Sequence, residues 1–87
     1  VKMKKSTVLN ITGKLLCEIC GFDFEAKYGK LGKGYIECHH NKPISSLNEN
    51  ETIKLSDLSI LCSNCHRMIH RIRPWKSVLE MKEIINL

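Results

Sequence analysis

Short apolar groups separated by polar segments make up the pattern of this chain. Leu58–Leu61 is a run of four residues, apolar except for Ser59, and its length suits a short buried strand better than a helix. Tyr35 and Ile36 form another apolar group, and we expect them to begin a strand that continues into the residues after them. Pro43 favours an extended or turn conformation directly after that strand. Residues 45–56 are polar without periodicity and predict a loop between the two strands.

Two helices are predicted in the last third of the chain. The first has Ser63 or Asn64 as its cap and residues 65–71 as its interior, and it ends before Pro74. The second covers residues 75–85, where apolar residues recur at intervals of three and four, as the buried face of a packed helix requires. The side chains of this helix that we expect in the core are Val78, Met81 and Ile85.

Residues 1–16 form a basic lead-in that contains four lysines and no acidic residue. It can be a solvated tail, a single helix packed on the domain, or a dedicated DNA-binding arm. Charge runs are usually solvated, which favours the first two alternatives over the third. Residues 17–33 come next and run into a glycine-rich segment, which predicts a hairpin or a loop.

The length of 87 residues allows one domain, which we place at residues 17–87. A chain of this size buries about 60–65% of its unfolded surface, so its core is marginal and commonly needs a disulfide or metal staple. Because the first residue is valine, we expect a C-terminal piece of a longer protein. Neither a membrane span nor a secretory signal is visible, and we therefore expect a soluble, cytoplasmic protein.

Four of the five cysteines stand as two Cys-x-x-Cys pairs, Cys17 with Cys20 and Cys62 with Cys65. Thiolates spaced in this way reach one ion from a tight turn, and four of them make a closed tetrahedral zinc site. A closed site has no position for a substrate, so the predicted zinc is structural and closes a long loop in a small chain. Two unconnected redox or free-thiol pairs are the alternative. We expect Cys38 to be a small buried side chain rather than a fifth ligand.

All four histidines lie in two short segments of the sequence. Positions four apart on a helix face the same way, so His66 and His70 can present two imidazoles to one metal ion. His39 and His40 are adjacent on an extended segment and must point apart. One of these two can complete a metal site with the helical pair, while the other stays free to accept a proton from water.

Two other interpretations of the histidines are open. A zinc finger could combine the helical pair with Cys17 and Cys20, but 45 residues separate Cys20 from His66. Such fingers have a spacing of about a dozen residues, and the second cysteine pair would have no role. Alternatively, all four are surface histidines without a ligand role. That interpretation suits a lone histidine better than four clustered ones.

A series of motifs runs in order through residues 17 to about 79. It consists of Cys-x-x-Cys-Gly-Phe-Asp-Phe from Cys17, Tyr28-Gly29, Gly34-Tyr35-Ile36-Glu37, His39-His40-Asn-Lys-Pro43, Asp57-Leu58 and Leu61-Cys-Ser-Asn-Cys-His-Arg-Met-Ile-His70. Together these motifs resemble the HNH endonucleases. More narrowly, they are similar to the catalytic domain of McrA-like, modification-dependent restriction endonucleases.

The resemblance implies an α+β fold, a small zinc-stapled ββα-metal (HNH, His-Me finger) domain with flanking helices. The strands would carry His39-His40 and the Leu58–Leu61 run, and the helix would carry His66 and His70. The implied activity is metal-dependent hydrolysis of phosphodiester bonds by the DNA cleavage domain of a restriction enzyme. In that picture, recognition of sequence or methylation belongs to a domain before this one.

The resemblance also implies a role for each site residue. His40 falls on the general base that activates the attacking water, and His39, His66 and His70 fall on the ligands of the catalytic ion. Asp57 occupies the place of the family's middle asparagine, whose usual role is to constrain the loop bearing the base by hydrogen bonding. This is a departure from the family pattern, because a carboxylate accepts hydrogen bonds but cannot donate them as an amide does.

Three imidazole ligands favour Mn²⁺, Co²⁺, Ni²⁺ or Zn²⁺ over Mg²⁺, which prefers oxygen donors. The net charge of +5 suits DNA as the partner. The candidates for phosphate contacts are Lys42, Arg67, Arg71 and Arg73, although exposed helix charge explains these residues equally well. A homodimer, if one forms, is expected through other parts of the full-length protein.

A zinc-stabilised nucleic-acid-binding module without catalysis is the competing hypothesis. It keeps the four paired cysteines and the basic charge, but it gives no reason for four histidines to converge. A redox protein that uses Cys-x-x-Cys is the third possibility, and it predicts a titratable thiol pair without tight metal binding.

Overall fold

The protein is described by a computed structural model of residues 2–41, 54–71 and 73–86. Its helices and strands, in chain order, are α1 (Lys2–Thr12), α2 (Phe24–Tyr28), β1 (Glu37–His40), β2 (Leu58–Leu61), α3 (Ser63–Ile69) and α4 (Val78–Ile85). Short 3₁₀ turns at Gly29–Gly32 and Leu55–Asp57 precede the two strands. Within the described residues, the helices lack the length and apolar character needed to cross a membrane.

The two strands form an antiparallel sheet in which Glu37 lies opposite Leu61 and His39 lies opposite Ser59. Because side chains alternate along a strand, Glu37 and His39 project from one face of the sheet and His40 from the other. Helix α3 follows β2 after a single residue and packs against both strands. This strand-strand-helix order confirms the predicted α+β class and the predicted strand at Leu58–Leu61.

The core consists of two groups of buried side chains that meet at β2. Leu61 and Ile69 belong to the larger group, which also contains three of the paired cysteines. Ile36 and Ile60 belong to the smaller group, on the other face of the sheet. Val8 of α1 packs against this smaller group, so residues 2–12 of the basic lead-in are a helix packed on the domain.

Several predicted element boundaries are wrong. β1 begins at Glu37 rather than at Tyr35, because the amide of Tyr35 donates to the carbonyl of Gly32 at 3.1 Å and so belongs to the preceding turn. Helix α3 is capped by Cys62, whose Sγ accepts from the amide of Cys65, and not by Ser63 or Asn64. The same helix ends at Ile69, short of the predicted residue 71.

The last helix begins at Val78 and not at residue 75. Ser77 caps it, and Ser77 and Glu80 form a capping box in which each side chain bonds the other residue's backbone amide. Met81 is buried and Val78 is partly buried in the core, as predicted. Ile85 was expected beside them but is 47% exposed, so the buried part of α4 is confined to Val78 and Met81.

Helix α2 was predicted only as part of a hairpin or loop. Asp23 caps it by accepting hydrogen bonds from the amides of Glu25 and Ala26, which is the signal that could have revealed it. The following turn brings Gly32 so close to α2 that a Cβ there would lie 2.1 Å from the carbonyl oxygen of Phe24. Glycine is therefore required at this position, and the segment leads directly into β1.

Candidate active site

The four paired cysteines come together from two turns of the chain. At the first turn, the amide of Cys17 donates to the carbonyl of Phe22 at 3.0 Å, and Gly21 adopts a φ of +79° that favours glycine. At the second, Cys62 directly follows β2 and caps α3, and Cys65 lies in the first turn of that helix. The two turns place all four sulfur atoms within 4.8 Å of one another.

The geometry of the cysteine cluster fits one zinc ion. Zinc–sulfur bonds of about 2.3 Å in a tetrahedron put neighbouring sulfurs about 3.8 Å apart, and Sγ of Cys20 lies 3.7 Å from Sγ of Cys62. The cysteines are free rather than joined as disulfides, since a disulfide requires about 2.05 Å between sulfurs. Burial raises the pKa of Cys65 above its ordinary value, so this thiol needs a nearby cation to be held as a thiolate. The cluster is therefore compatible with the predicted structural zinc.

Cys38 lies outside this cluster. It was expected to be buried, but its side chain is only half-buried. The alternation of β1 places it on the face of the sheet that also carries Ile60. The prediction that it is not a fifth ligand agrees with its absence from the groups of close ligand atoms among the described residues.

Three histidines form a second cluster of metal-ligating side chains. His39 comes from β1, His66 lies in the middle of α3, and His70 is the C-terminal cap of that helix, four residues after His66. One ring nitrogen of each lies within 4.8 Å of the others. His39 is buried, His66 is half-buried and His70 is exposed, so the cluster opens to solvent on the side of the helix end.

The histidine cluster also fits a divalent ion. Two imidazoles bound at about 2.0–2.1 Å in a tetrahedron place their nitrogens about 3.3–3.4 Å apart, and Nδ1 of His39 lies 3.3 Å from Nε2 of His70. Burial, followed by the nearby imidazoles, lowers the pKa of His39 to about 4. Burial, followed by His66 and Arg73, also lowers the pKa of His70. Both rings are thus neutral near pH 7, as metal ligands must be.

Glu37 contacts the cluster from the same face of β1, and sequence reasoning did not identify it. Its carboxylate accepts hydrogen bonds from Ser63 Oγ at 2.7 Å, Tyr35 Oη at 2.8 Å and His66 Nδ1 at 2.8 Å. The bond from Ser63, followed by those from His66 and Tyr35, lowers the pKa of Glu37 to about 2. The only sequence signal was its place two residues before His39 on a strand, which puts both side chains on one face.

His40 ends β1 on the opposite face from His39, as predicted, and is half-buried. The next residue, Asn41, fixes the end of the strand. Its amide donates to the carbonyl of Asp57 at 2.8 Å, and its side-chain oxygen accepts from Ser59 Oγ at 2.9 Å. The Asp57 carboxylate in turn accepts from the amide of Lys54 at 3.0 Å. Asp57 thus lies beside the segment that bears His40, and its contact to that segment is made by its backbone.

Trp75 packs against the histidine cluster, although the sequence placed it in the last helix. The centroid of its ring lies 4.2 Å from that of His70 and 5.2 Å from that of His39. The guanidinium of Arg73 lies 5.7 Å from the centre of the Trp75 ring, a cation–π distance. Arg73 is therefore held next to the histidines.

The other predicted phosphate contacts are distributed differently. Arg67 lies on α3 and Arg71 directly follows its C-terminal cap, and both are exposed. Both positive charges therefore face solvent near α3 and its cap, which carry His66 and His70. Lys42 lies outside the described residues.

Comparisons with known proteins agree with this arrangement. The family model described as HNH endonuclease matches residues 17–71, a range that contains both clusters. The chain is also 35% identical over 79 residues to the type IV methyl-directed restriction enzyme EcoKMcrA of Escherichia coli (strain K12). The aligned region is 91% of this chain and 27% of that relative, so the chain spans about a quarter of the relative's length. By this family match and the two clusters, the chain belongs to the HNH endonuclease family.

Proposed function

We propose that this chain is a metal-dependent DNA endonuclease, the cleavage domain of a restriction enzyme. The observation that carries the proposal is the convergence of His39, His66 and His70 from a strand and a helix onto one point, apart from the cysteine cluster. A nucleic-acid-binding module without catalysis needs the cysteine staple and the basic charge, but it does not need this second cluster. Family membership and the similarity to a restriction enzyme support the same conclusion.

The three histidines would hold the catalytic ion through one nitrogen each. When bound, that ion supplies positive charge that neutralises the non-bridging and leaving oxygens of a phosphodiester during hydrolysis. His39 and His70 are neutral at physiological pH, so they can act as ligands without first losing a proton. Neutral nitrogen donors favour Mn²⁺, Co²⁺, Ni²⁺ or Zn²⁺ over Mg²⁺.

His40 is proposed as the general base. It lies next to a ligand residue but projects from the other face of β1, so its imidazole is not used by the histidine cluster. It can accept a proton from the attacking water while the bond to the leaving oxygen breaks. Asp57 supports it indirectly, by accepting a hydrogen bond from the backbone of the residue that follows His40.

Charged side chains near the histidines would bind the DNA backbone. Arg73 has the most definite position, because Trp75 holds its guanidinium beside the cluster. Arg67 and Arg71 are further candidates, and Lys42 stays a prediction from sequence. Contacts of this kind position a phosphate without reading the base sequence. A cytoplasmic location and the homodimer through other parts of a longer protein also stay predictions.

Plasmid nicking by the wild-type chain and by His40→Ala tests the proposal. Removal of a general base typically costs about 10²–10⁴-fold in rate, and we expect a loss in that range with Mn²⁺ or Ni²⁺. Metal analysis should find two divalent ions per chain in both proteins, since His40 belongs to neither cluster.

Three results would contradict this proposal. Equal nicking rates in both proteins would remove His40 as the base. Activity with Mg²⁺ alone would contradict the assignment of three histidines as ligands. A single zinc per chain, unaffected by His39→Ala, would instead favour the non-catalytic binding module.

A further inference from the structure

Glu37 accepts three hydrogen bonds from side chains of two segments, one from Tyr35 before β1 and two from residues of α3. Oε2 accepts from Tyr35 at 2.8 Å and from Ser63 at 2.7 Å, and Oε1 accepts from Nδ1 of His66 at 2.8 Å. Two hydroxyl groups and one ring nitrogen surround the Glu37 side chain, and carboxylate oxygens accept hydrogen bonds from such groups. The proton between Glu37 and His66 must therefore reside on Nδ1 of the imidazole.

A proton on Nδ1 leaves Nε2 of His66 as the nitrogen with a free lone pair. Neutral imidazole in water exchanges between its two tautomers, and only one of them presents a given nitrogen to an ion. An ionised partner also makes a shorter and stronger hydrogen bond than a neutral one. The contact therefore fixes both the tautomer and the plane of the ring before any ion is bound.

We propose that Glu37 is the positioning residue for His66, selecting the tautomer and the ring orientation with which this histidine binds the divalent ion. The inference rests on the proposed function, because it assumes that the histidine cluster holds an ion. Carboxylates that accept a hydrogen bond from a ligand histidine also raise its basicity, and their loss typically lowers metal affinity about 10–100-fold.

The third partner of Glu37 connects this role to the cysteine cluster. Ser63 lies in the first turn of α3, between Cys62 and Cys65. Through Ser63 and His66, Glu37 joins β1 to two successive turns of that helix. The Glu37 carboxylate is therefore bonded both to a member of the histidine cluster and to a residue that lies between two cysteines of the cysteine cluster.

Calorimetric titration of the zinc-loaded chain with Ni²⁺ tests the proposal. We expect Glu37→Ala to weaken Ni²⁺ binding about 10–100-fold. Glu37→Gln should lose less, because its amide oxygen still accepts from Nδ1 but carries no charge. Glu83→Gln is the matched control, since Glu83 is an exposed residue of α4, and it should bind Ni²⁺ as the wild type does.

A measurement without Ni²⁺ separates positioning from a general effect on folding. Nitrogen-15 NMR of the imidazoles should show His66 with its proton on Nδ1 in the wild type and a mixture of tautomers in Glu37→Ala. Ser63→Ala and Tyr35→Phe remove the other two hydrogen bonds and should leave the His66 tautomer unchanged. If Glu37→Ala does not fold, the Ni²⁺ affinity of Glu37→Gln is compared instead with that of Ser63→Ala and Tyr35→Phe.

Failure of the inference differs from failure of the proposed function. The inference is overturned if Glu37→Ala keeps both the wild-type tautomer and the wild-type Ni²⁺ affinity, or, where only Glu37→Gln folds, if that variant keeps the wild-type Ni²⁺ affinity. If the wild type binds no Ni²⁺, or binds it equally well after His39→Ala, the proposed metal site is wrong and the inference with it. Loss of Ni²⁺ affinity in the Glu37 variants together with a changed tautomer supports both.

Discussion

At the scale of single residues, Trp75 and Glu37 surround the histidine cluster from two sides. Trp75 lies against His39 and His70, while Glu37 holds His66. The convergence of the three histidines could be predicted from sequence in part, because the four-residue spacing of His66 and His70 is a local property. Trp75 and Glu37 could not, because their contacts form only when distant segments fold together.

Trp75 provides a direct test of where the ion binds. It is the single tryptophan of the chain, and its ring lies 4.2 Å from His70 between centroids. We expect Ni²⁺ to quench its fluorescence strongly, and Zn²⁺ to quench it much less because Zn²⁺ has a filled d shell. Quenching should disappear in His39→Ala and persist in His40→Ala. Quenching that survives His39→Ala would place the ion elsewhere.

The buried His39 makes stability depend on pH. Its pKa is lowered to about 4 in the folded chain, whereas a histidine in an unfolded chain has a pKa of about 6.5. As pH falls from 6.5 to 4, the unfolded state takes up the proton first, so the free energy of unfolding decreases, by roughly 1–3 kcal/mol. Above pH 6.5 both states are neutral and the full stability is present.

Urea unfolding at several pH values, without added divalent ion, measures this effect. His39→Gln removes the titrating group and should lose much of the slope between pH 6.5 and 4. Both proteins contain the same cysteine cluster, so release of zinc by acid affects them alike. Equal slopes in the two proteins would show that His39 is not held neutral by the fold.

At the scale of elements, the end of β1 and the turn before β2 are held to each other. The backbone amide of Asn41 donates to the carbonyl of Asp57, and its side-chain oxygen accepts from Ser59. The side-chain nitrogen of Asn41, Nδ2, lies 3.5 Å from the carbonyl of Ser56. The prediction that Asp57 takes the place of the family's asparagine does not leave this contact without a side-chain amide, because Asn41 supplies one.

We expect Asn41→Ala to slow plasmid nicking by about 10–100-fold, because misplacement of a catalytic group by about 1 Å can cost 10²-fold. Its zinc content and its Ni²⁺ affinity should equal those of the wild type, since it touches neither cluster. Asn64→Ala is the matched control, because Asn64 is exposed on α3, and it should nick plasmid at the wild-type rate. A loss of Ni²⁺ affinity in Asn41→Ala would indicate a wider disturbance of the sheet.

The elements themselves were predictable to different degrees. β2 was found with correct bounds because its apolar run is fully buried. α2 was missed because five residues are too few for a helical period to show. Ile85 was placed in the core from periodicity alone, although α4 has too few partners to cover its last turn. Periodicity shows which face of a helix can be buried, but tertiary contacts decide how much of it is.

At the scale of the whole molecule, the cysteine cluster connects the segment before the two-stranded sheet to the segment after it. Cys17 and Cys20 precede the sheet in sequence, whereas Cys62 and Cys65 follow it, and three of the four are buried in the larger core group. In a chain of 87 residues the hydrophobic core alone gives only marginal stability. Most of the free energy of folding should therefore depend on the bound zinc.

Cys65→Ser tests this dependence, with Cys38→Ser as its matched control. We expect Cys65→Ser to lose the structural zinc and the cooperative unfolding transition, because an incomplete cluster cannot close the loop between the two cysteine pairs. Cys38 lies outside the cluster and is half-buried, so Cys38→Ser should keep one zinc per chain and a wild-type melting temperature. Metal analysis and circular dichroism measure both quantities. A Cys65→Ser protein that still melted cooperatively without zinc would show that the two core groups suffice, and that the cluster serves some purpose other than holding the domain together.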